Sequence, residues 1–296
     1  MNILVTGGTG FIGRNLCVEL VERGHDVTAL ARNPAGEDVP DGIEMAMGDV
    51  SAYDSIVNSF EGKDAVINLV ALSPLFRPSG GNEMHDKVHR KGTVNCLEAA
   101  EEYSVDRFIQ LSALGADPHG DTHYIRAKGQ ADEAVTDSSL DWTIFRPSVI
   151  FGDGCEFVNF TRTLTPPVLA PLPGGGSTRF QPLFVEDFVE ILADSLEDDE
   201  HVGEIYEIGG PEVLTLAEVA KLVRKARGQS VRIIPVPMAL AGIGLTIAGA
   251  IPKFPMGPDQ YRSLQFDNTT TDNAIAAFGN STEDLTTLAA YLGVDE

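Results

Sequence analysis

The chain has 296 residues, 43% of them hydrophobic, which is enough for one large domain or for two lobes around a sizeable core. Its 44 acidic residues outnumber its 21 basic ones, and the net charge of -23 argues against nucleic acid as a partner, because the phosphates would be repelled. This balance favours the solvated surface of a halophile, with an acidic mesophilic protein as the alternative, and three cysteines without a close pair indicate a reducing cytoplasm.

The first thirteen residues combine an apolar run with a glycine pattern. Residues 2–5 predict a buried strand, the run TGGTGFIG at 6–13 a turn, and the next segment a helix whose N-terminus binds a pyrophosphate. Gly7 would permit the turn, Gly10 the approach of the pyrophosphate and Gly13 close packing of the helix. A glycine turn without a ligand is the alternative. Because the first strand begins so early, we expect no signal peptide.

A second strand, at residues 26–30, is followed by an alanine and then by Arg32. Dinucleotide folds that prefer NAD usually place an acidic residue at this strand end, where it binds the ribose 2′-hydroxyl. A guanidinium suits the 2′-phosphate of NADP instead, so we predict NADP as the cofactor, with NAD as the alternative. Arg32 would otherwise be a solvated arginine in a loop.

A third strand, at residues 43–47, leads to Asp49. Its carboxylate would accept a hydrogen bond from the adenine amino group or cap a helix that we expect to begin near Ser51. A fourth strand is expected at residues 64–71. Because ligands bind at the carboxyl ends of parallel strands, residues 69–72 should lie beside the cofactor.

A helix is expected from about residue 83 to residue 103, and it carries His85 and His89 on one face. A zinc site needs at least a third ligand, and no motif in the sequence supplies one. We therefore expect no metal site.

The residues that point to catalysis follow a fifth strand at 107–112. Tyr124 and Lys128 are four residues apart, on one face of a predicted helix. An ammonium near a phenol should lower the pKa of the phenol and prepare it for proton transfer. Ser112, at the end of the strand, could hydrogen-bond the same substrate oxygen. The surface of any helix can carry such a pair by chance, which is the alternative.

A sixth strand, at residues 142–145, completes an alternation of strands and helices that predicts an α/β fold with a doubly wound parallel sheet. Residues 151–179 are rich in proline and glycine, and we expect an irregular lid or substrate wall there. A helix at 185–196 and a strand at 204–208 follow, and Thr215 should begin a further helix with a capping box.

Residues 233–252 contain no charged side chain. Two prolines at the start leave about 14 residues, short of the roughly 20 that a spanning helix needs. We expect a helix packed on the C-terminal lobe, and the alternative is a helix that binds a membrane surface or a partner through residues 238–251.

Over its whole length the chain resembles the extended and atypical short-chain dehydrogenase/reductase superfamily. The matching motifs are TGGTGFIG (6–13), GDV (48–50), NLVA (68–71), KGTVNCLEAA (91–100), YIRAK (124–128), FRPSVIFG (145–152) and LFVEDF (183–188). Within that superfamily it is similar to nucleoside-diphosphate-sugar epimerase-like proteins related to an accessory subunit of respiratory complex I. That likeness rests on FGDGCEF (151–157), GGGSTRFQPLFVEDF (174–188), EIGGPE (207–212), PVPMALA (235–241) and PDQYRSLQFDN (258–268).

The resemblance implies a Rossmann cofactor domain at residues 1–150 and a smaller substrate lobe at 151–296, of which about 180–203 return to the first domain. It implies that the pyrophosphate is bound by Gly7, Gly10, Phe11, Ile12 and Gly13. It also implies that Arg32 contacts the 2′-phosphate, Asp49 the adenine and Ala71 the nicotinamide ribose.

By the same resemblance Tyr124 and Lys128 are the catalytic pair, and Lys128 also holds the ribose hydroxyls. Pro147 and Ser148 would flank the nicotinamide. The chain departs from the family pattern at His89, where an asparagine is often found.

Two functions follow from these observations. The first is an NADP(H)-dependent oxidoreductase or epimerase acting on a small carbonyl, carbinol or nucleotide-sugar-like substrate in the cytoplasm. The second is a non-catalytic accessory or assembly subunit that holds NADPH and associates with a membrane respiratory complex.

Overall fold

The structure is a computed structural model that describes residues 1–34, 40–249 and 256–294. The chain divides into two compact units. The first unit comprises Met1–Leu72, Asn82–Arg146 and Val185–Tyr206. The second unit comprises Ser73–Gly81, Pro147–Phe184 and Glu207–Glu296.

A seven-stranded sheet forms the core of the first unit. Its strands are β1 (Asn2–Thr6), β2 (Asp26–Ala31), β3 (Ile43–Met47), β4 (Ala65–Asn68), β5 (Arg107–Leu111), β6 (Asp141–Pro147) and β11 (Glu204–Ile208). They lie in the order β11-β6-β5-β4-β1-β2-β3, and the pairs from β6 to β3 are parallel. Strands β4 and β5 are buried along their whole length, as expected of central strands covered on both faces. The predicted doubly wound α/β fold is confirmed.

The longer helices among the described residues of this unit are α1 (Phe11–Glu22), α3 (Lys91–Glu102), α4 (His123–Thr136) and α6 (Val185–Glu197). In place of the helix expected near Ser51, two short 3₁₀ turns occupy Tyr53–Ser55 and Val57–Phe60. These turns bury Ile56 and Phe60 in the core, so the segment achieves the burial of a helical face without a regular helix.

The helix expected over residues 83–103 is interrupted. A short helix α2 (Glu83–His85) is followed by a π-turn at Asp86–Arg90, and only then by α3. The π-turn contains His89, which is 1% exposed. Such turns hold one residue more than an α-helical turn and occur often at functional sites.

The carboxyl ends of the central strands are tied together by buried polar side chains. Thr6 donates a hydrogen bond to Asn68, whose amide donates to Thr93 at 3.1 Å and to Gln110 at 2.8 Å. Each of these four residues is at most 3% exposed. Because buried polar groups are costly unless they are paired, this network fixes the register of β1, β4 and β5 at the edge where the glycine turn begins.

The second unit contains short strand pairs and five helices among its described residues. The strands are β7 (Ile150–Phe151), β8 (Val168–Pro173), β9 (Arg179–Phe180), β10 (Leu183–Phe184), β12 (Leu214–Thr215) and β13 (Val231–Val236), and the helices are α5 (Glu156–Leu164), α7 (Leu216–Lys225), α8 (Met238–Gly249), α9 (Pro258–Ser263) and α10 (Leu288–Tyr291). Strand β13 pairs with β8 in parallel over six residues. Thr215 caps α7 with the predicted capping box, in which Glu218 is the partner.

One expectation for this unit is wrong. Residues 151–179 are not irregular, because they contain α5 and β8. Within the described part of the chain, β8 is paired on one side only, with β13, so its prolines are compatible with a strand. The uncharged segment 233–252 begins in β13, and the helix expected after its two prolines is present as α8. Residues 250–252 lie outside the described residues.

Helix α8 contacts Tyr261 of α9 through its glycine at position 242, where a Cβ atom would lie 2.8 Å from the ring. It leaves Leu240, Ile243 and Ile247 exposed at 60%, 58% and 65%. Among the described helices, none is both long enough and apolar enough to cross a membrane.

Candidate cofactor and catalytic site

The glycine turn after β1 has the geometry that its sequence predicts. Gly7 has a φ of +75°, which only glycine adopts easily, and Gly10 donates its N–H to the Gly7 carbonyl at 2.9 Å. A Cβ atom on Gly13 would lie 2.2 Å from the same carbonyl oxygen. The sequence analysis missed Gly8, where a Cβ atom would lie 2.5 Å from the Cβ atom of Ala29 on β2, although the doubled glycine was a visible signal.

Phe11 and Ile12 form the first turn of α1, and both are half-buried. No side chain caps this helix, and its first turn contains no acidic residue. Its first N–H groups therefore have no internal acceptor, and they carry the positive end of the helix dipole. The turn thus fits the pyrophosphate of a dinucleotide.

Arg32 and Asp49 lie in one neighbourhood, beyond β2 and β3. Arg32 is exposed, and Oδ1 of Asp49 accepts a hydrogen bond from the Ser51 N–H at 2.9 Å. Burial raises the pKa of Asp49, but the hydrogen bonds from Ser51 and the charges of Arg32 and Lys87 together hold it below its usual value. One carboxylate oxygen of Asp49 is thus used as a local cap. Lys87, which lies on the π-turn, is a second cation near Asp49 in addition to Arg32. The sequence analysis did not single it out.

The chain after β4 is held by a histidine. Ala71 is exposed, and the next residue, Leu72, donates its N–H to Nε2 of His89 at 2.8 Å. Nδ1 of His89 is buried and has no hydrogen-bond partner among the described residues. Burial, together with the charge of Lys128 and the neighbouring His85, holds the pKa of His89 well below its usual value. His89 is therefore neutral, with Nε2 as an acceptor.

The ring of Tyr124 meets two imidazole rings edge-on. Its centroid lies 5.7 Å from that of His85 and 5.3 Å from that of His89. Within the described part of the chain, no group of three or more His, Cys, Asp or Glu side chains could hold a metal ion.

Tyr124 and Lys128 occupy successive turns of α4, which Thr122 caps by accepting the Ile125 N–H at 3.2 Å. Lys128 is 1% exposed, and its Nζ donates to the Leu111 carbonyl at 2.6 Å. Burial lowers the pKa of Lys128 to about 8, although the charge of Asp132 acts in the opposite direction.

The expectation that Lys128 lowers the pKa of Tyr124 is wrong. Burial and the negative charge of Asp132 raise the pKa of the phenol above its usual value. The physical reason is that burial disfavours the phenolate, and the nearby carboxylate disfavours it further.

Ser112 uses both of its donor groups within the first unit. Its N–H donates to the Phe145 carbonyl at 2.7 Å, and its hydroxyl donates to Oδ2 of Asp132 at 2.9 Å. Nε of Arg146 donates to the same oxygen at 2.9 Å. The sequence analysis missed Asp132 and Arg146; the available signal was the position of Asp132, four residues beyond Lys128 on the same face of the helix.

Pro147 and Ser148 lie in the second unit, whereas the other predicted site residues lie in the first. Ser148 is 5% exposed, and its N–H donates to the Ile208 carbonyl at 2.8 Å. Its hydroxyl lies 2.8 Å from both the backbone and the side-chain oxygen of Asn268. This hydroxyl is therefore used within the second unit.

A model of the NAD(P)H-binding family matches residues 7–159 of the chain. The chain is 30% identical over 293 residues to NADH dehydrogenase (ubiquinone) 1 alpha subcomplex subunit 9, mitochondrial, of Arabidopsis thaliana, a match that covers 92% of this chain and 71% of that protein. It is 27% identical to the divinyl chlorophyllide a 8-vinyl-reductase of Cucumis sativus, over 86% of this chain and 63% of that protein. The chain therefore spans about two thirds of the length of these relatives.

Solved structures share the fold over the whole chain. A nucleoside-diphosphate-sugar epimerase from Staphylococcus aureus superimposes with a TM-score of 0.72 at 19% identity, covering 99% of both chains. UDP-glucose 4-epimerase from Thermus thermophilus, in complex with NAD, gives a TM-score of 0.67 at 20% identity and covers 99% of both chains.

Proposed function

The chain belongs to the NAD(P)H-binding family, and from this membership we propose that it is an NADP(H)-dependent oxidoreductase of the short-chain dehydrogenase and epimerase type. Its substrate would be a small carbonyl or carbinol compound or a nucleotide-sugar-like molecule. The observation that carries the proposal is the buried Lys128 one helical turn beyond Tyr124, in the same unit as the glycine turn. The proposal is also supported by a relative that is named as a reductase.

The cofactor would be held by the chain's own groups. The N–H groups at the start of α1 would bind the pyrophosphate, with Gly7, Gly10 and Gly13 giving it access, and Phe11 and Ile12 forming the helix start. Arg32 would bind a 2′-phosphate, which favours NADP over NAD. When bound, the nicotinamide supplies hydride chemistry to the site.

The remaining contacts would serve the two ends of the cofactor and the substrate. Asp49 would use its second carboxylate oxygen for the adenine, and the exposed Ala71 would lie against the nicotinamide ribose. Lys128 would hold the ribose hydroxyls. These roles follow the family pattern position by position.

Tyr124 would act as a proton donor. Because burial and Asp132 raise the pKa of its phenol, Tyr124 keeps its proton at neutral pH. A group in this state can give a proton to a substrate oxygen as that oxygen gains negative charge.

The test is turnover by the purified full chain with NADPH and a panel of carbonyl compounds and nucleotide sugars. We expect activity that Tyr124→Phe reduces by at least about 100-fold, as for loss of a general acid. Tyr103→Phe removes a hydroxyl elsewhere in the same unit and should leave the activity unchanged. If no substrate is turned over in a way that depends on Tyr124, the enzymatic proposal fails.

The second candidate function is a non-catalytic subunit that holds NADPH in a membrane respiratory complex. One observation favours it: α8 exposes Leu240, Ile243 and Ile247. A relative is named as a subunit of an NADH dehydrogenase. This function predicts that the protein purifies with membranes, that replacing the three α8 side chains by serine releases it, and that Tyr124→Phe has no effect on assembly.

A further inference from the structure

We infer that Asp132 is a positioning residue for the proposed catalytic pair, because its one buried carboxylate orients the Ser112 hydroxyl and balances the ammonium of Lys128. The inference extends the proposed function. Only its measurement of cofactor binding rests on that function, and the titration of Lys128 does not.

Asp132 shares one face of α4 with the proposed catalytic pair. Tyr124, Lys128 and Asp132 follow one another at intervals of four residues, so they lie along one face of the helix. Asp132 is 3% exposed and Lys128 is 1% exposed. A carboxylate and an ammonium are therefore buried one helical turn apart, where each would be costly without the other.

The two carboxylate oxygens of Asp132 differ in their hydrogen bonds. Its Oδ2 atom accepts from both the Ser112 hydroxyl and Nε of Arg146, each at 2.9 Å. Its Oδ1 atom is buried and has no hydrogen-bond partner among the described residues. Burial raises the pKa of the Asp132 carboxyl above its usual value, and the hydrogen bond from Ser112 and the charges of Arg146 and Lys128 act to lower it. The charge of this carboxylate therefore depends on these partners.

The charge state of Lys128 depends on Asp132. The titratable and charged groups around this carboxylate are Tyr124 and Lys128 from its own helix and Arg146 from the end of β6; His85 and His89, from α2 and the π-turn, face Tyr124. Burial pulls the pKa of Lys128 down to about 8, and the carboxylate of Asp132 works against this pull. Without Asp132, burial would lower the pKa of Lys128 further and reduce its charged fraction at neutral pH.

Asp132 also sets the direction of the Ser112 hydroxyl. A serine hydroxyl has one proton to donate, and Ser112 gives it to Asp132. Only the oxygen lone pairs of Ser112 remain for another group. Asp132 therefore sets Ser112 as a hydrogen-bond acceptor, which suits a donor such as a substrate hydroxyl or the phenol of Tyr124.

The test measures the titration of Lys128 in the full chain by NMR, with lysines labelled at Nζ and Cε. The chain has seven lysines, and Lys128→Arg identifies the resonance. In Asp132→Asn we expect the midpoint of the Lys128 titration to move to lower pH by about one pH unit or more, as for removal of a close opposite charge. Glu133→Gln removes an exposed charge from the neighbouring position and should leave the midpoint unchanged. Asp132→Glu, which restores a carboxylate, should return the midpoint towards that of the wild type.

A measurement on the wild-type protein needs no substitution, and it decides the question if Asp132→Asn does not fold. The Lys128 resonance should show a second inflection at the pH where the Asp132 carboxyl titrates, because the two groups interact. A Lys128 midpoint that is the same in wild type and Asp132→Asn overturns the inference. So does the absence of the second inflection.

Binding of NADPH separates this inference from the proposed function. At pH 7.5, a shift of the Lys128 midpoint from about 8 to about 7 reduces its charged fraction about threefold, so NADPH affinity should fall by about that factor in Asp132→Asn. If the Lys128 titration moves and the affinity does not, the inference about Asp132 holds. The proposed contact between Lys128 and the cofactor then fails.

Discussion

The backbone N–H of Leu72 donates a 2.8 Å hydrogen bond to Nε2 of His89, so a buried imidazole holds the chain where it leaves the central strand β4. Leu72 follows Ala71, the residue proposed to contact the nicotinamide ribose. The family pattern often has an asparagine at the position of His89. The histidine here supplies an acceptor from within the π-turn, and its ring also packs against Tyr124.

His89→Leu should destabilise the protein by about 1–3 kcal/mol, because it leaves the Leu72 N–H without its acceptor. The free energy of unfolding by urea measures this loss. Amide exchange at Leu72 should become faster in the same variant. His119→Leu replaces an exposed histidine of the same unit and serves as the control. Equal stabilities for the two variants would contradict the structural role of His89.

The stability of the protein should fall as the pH drops below about 6.5, the usual pKa of histidine in an unfolded chain. The pKa of folded His89 lies well below its usual value, so the unfolded state binds a proton that the folded state does not. Stability from this group is thus complete above the unfolded pKa and is lost as the pH falls towards the folded pKa, with a slope of at most about 1.4 kcal/mol per pH unit. The free energy of unfolding, measured between pH 5 and pH 8, should decline less steeply with falling pH in His89→Leu than in the wild type. The difference in slope corresponds to at most one bound proton. Parallel curves for wild type and variant would rule this out.

Gly13→Ala should destabilise the first unit by about 1–3 kcal/mol and reduce dinucleotide binding, because the new methyl group overlaps the Gly7 carbonyl. Gly244→Ala is the matched control, since that glycine also lies in a helix and has open space around its Cβ position. The control should raise stability slightly, by about 0.5–1 kcal/mol. Thermal unfolding and NADPH titration measure both effects, and a Gly13→Ala protein that binds NADPH normally would refute the close packing of the turn.

Arg32→Ala should cost about 1.5–3 kcal/mol of NADPH binding, as for a charge-assisted hydrogen bond, with little change for NADH. Arg227→Ala removes an exposed arginine elsewhere and controls for the change in net charge. The titrations should be run at several ionic strengths, because salt weakens an exposed contact. Equal affinities of the wild-type protein for NADPH and NADH would exclude the proposed preference.

The melting temperature should rise steadily from 0.1 M to molar KCl, because the net charge of -23 makes the folded chain repel itself. Salt shortens the screening length from about 10 Å at 0.1 M to about 3 Å at 1 M. A further rise beyond about 1 M would support the hydrated acidic surface of a halophile, since screening is then nearly complete. A flat or falling melting temperature would show that the acidic balance is incidental.

The sequence predicted those features that depend on local patterns. The glycine turn at residues 6–13 was predictable because the strand, the turn and the helix are consecutive, and each has its own signal. Strand β3 was predicted with its observed bounds, and the capping box of Thr215 with its observed partner. Residues 151–179 were mispredicted because their prolines obscured β8, and α5 was missed although it contains no proline.

The sequence did not predict the contacts that join distant segments. Ser112 and Asp132 are twenty residues apart, and nothing local to either indicates that one donates to the other. The pKa of Tyr124 could not be predicted from its spacing to Lys128, because burial by surrounding segments decides its direction.

The π-turn at Asp86–Arg90 also determines how this segment responds to a change in chain length. Deleting the exposed Lys87 would let α2 and α3 join as one regular helix. A π-turn takes up its additional residue within a single widened turn, so the helices on either side keep nearly the same phase. The deletion should therefore leave the His85 ring near Tyr124 and remove only the widened turn that carries His89.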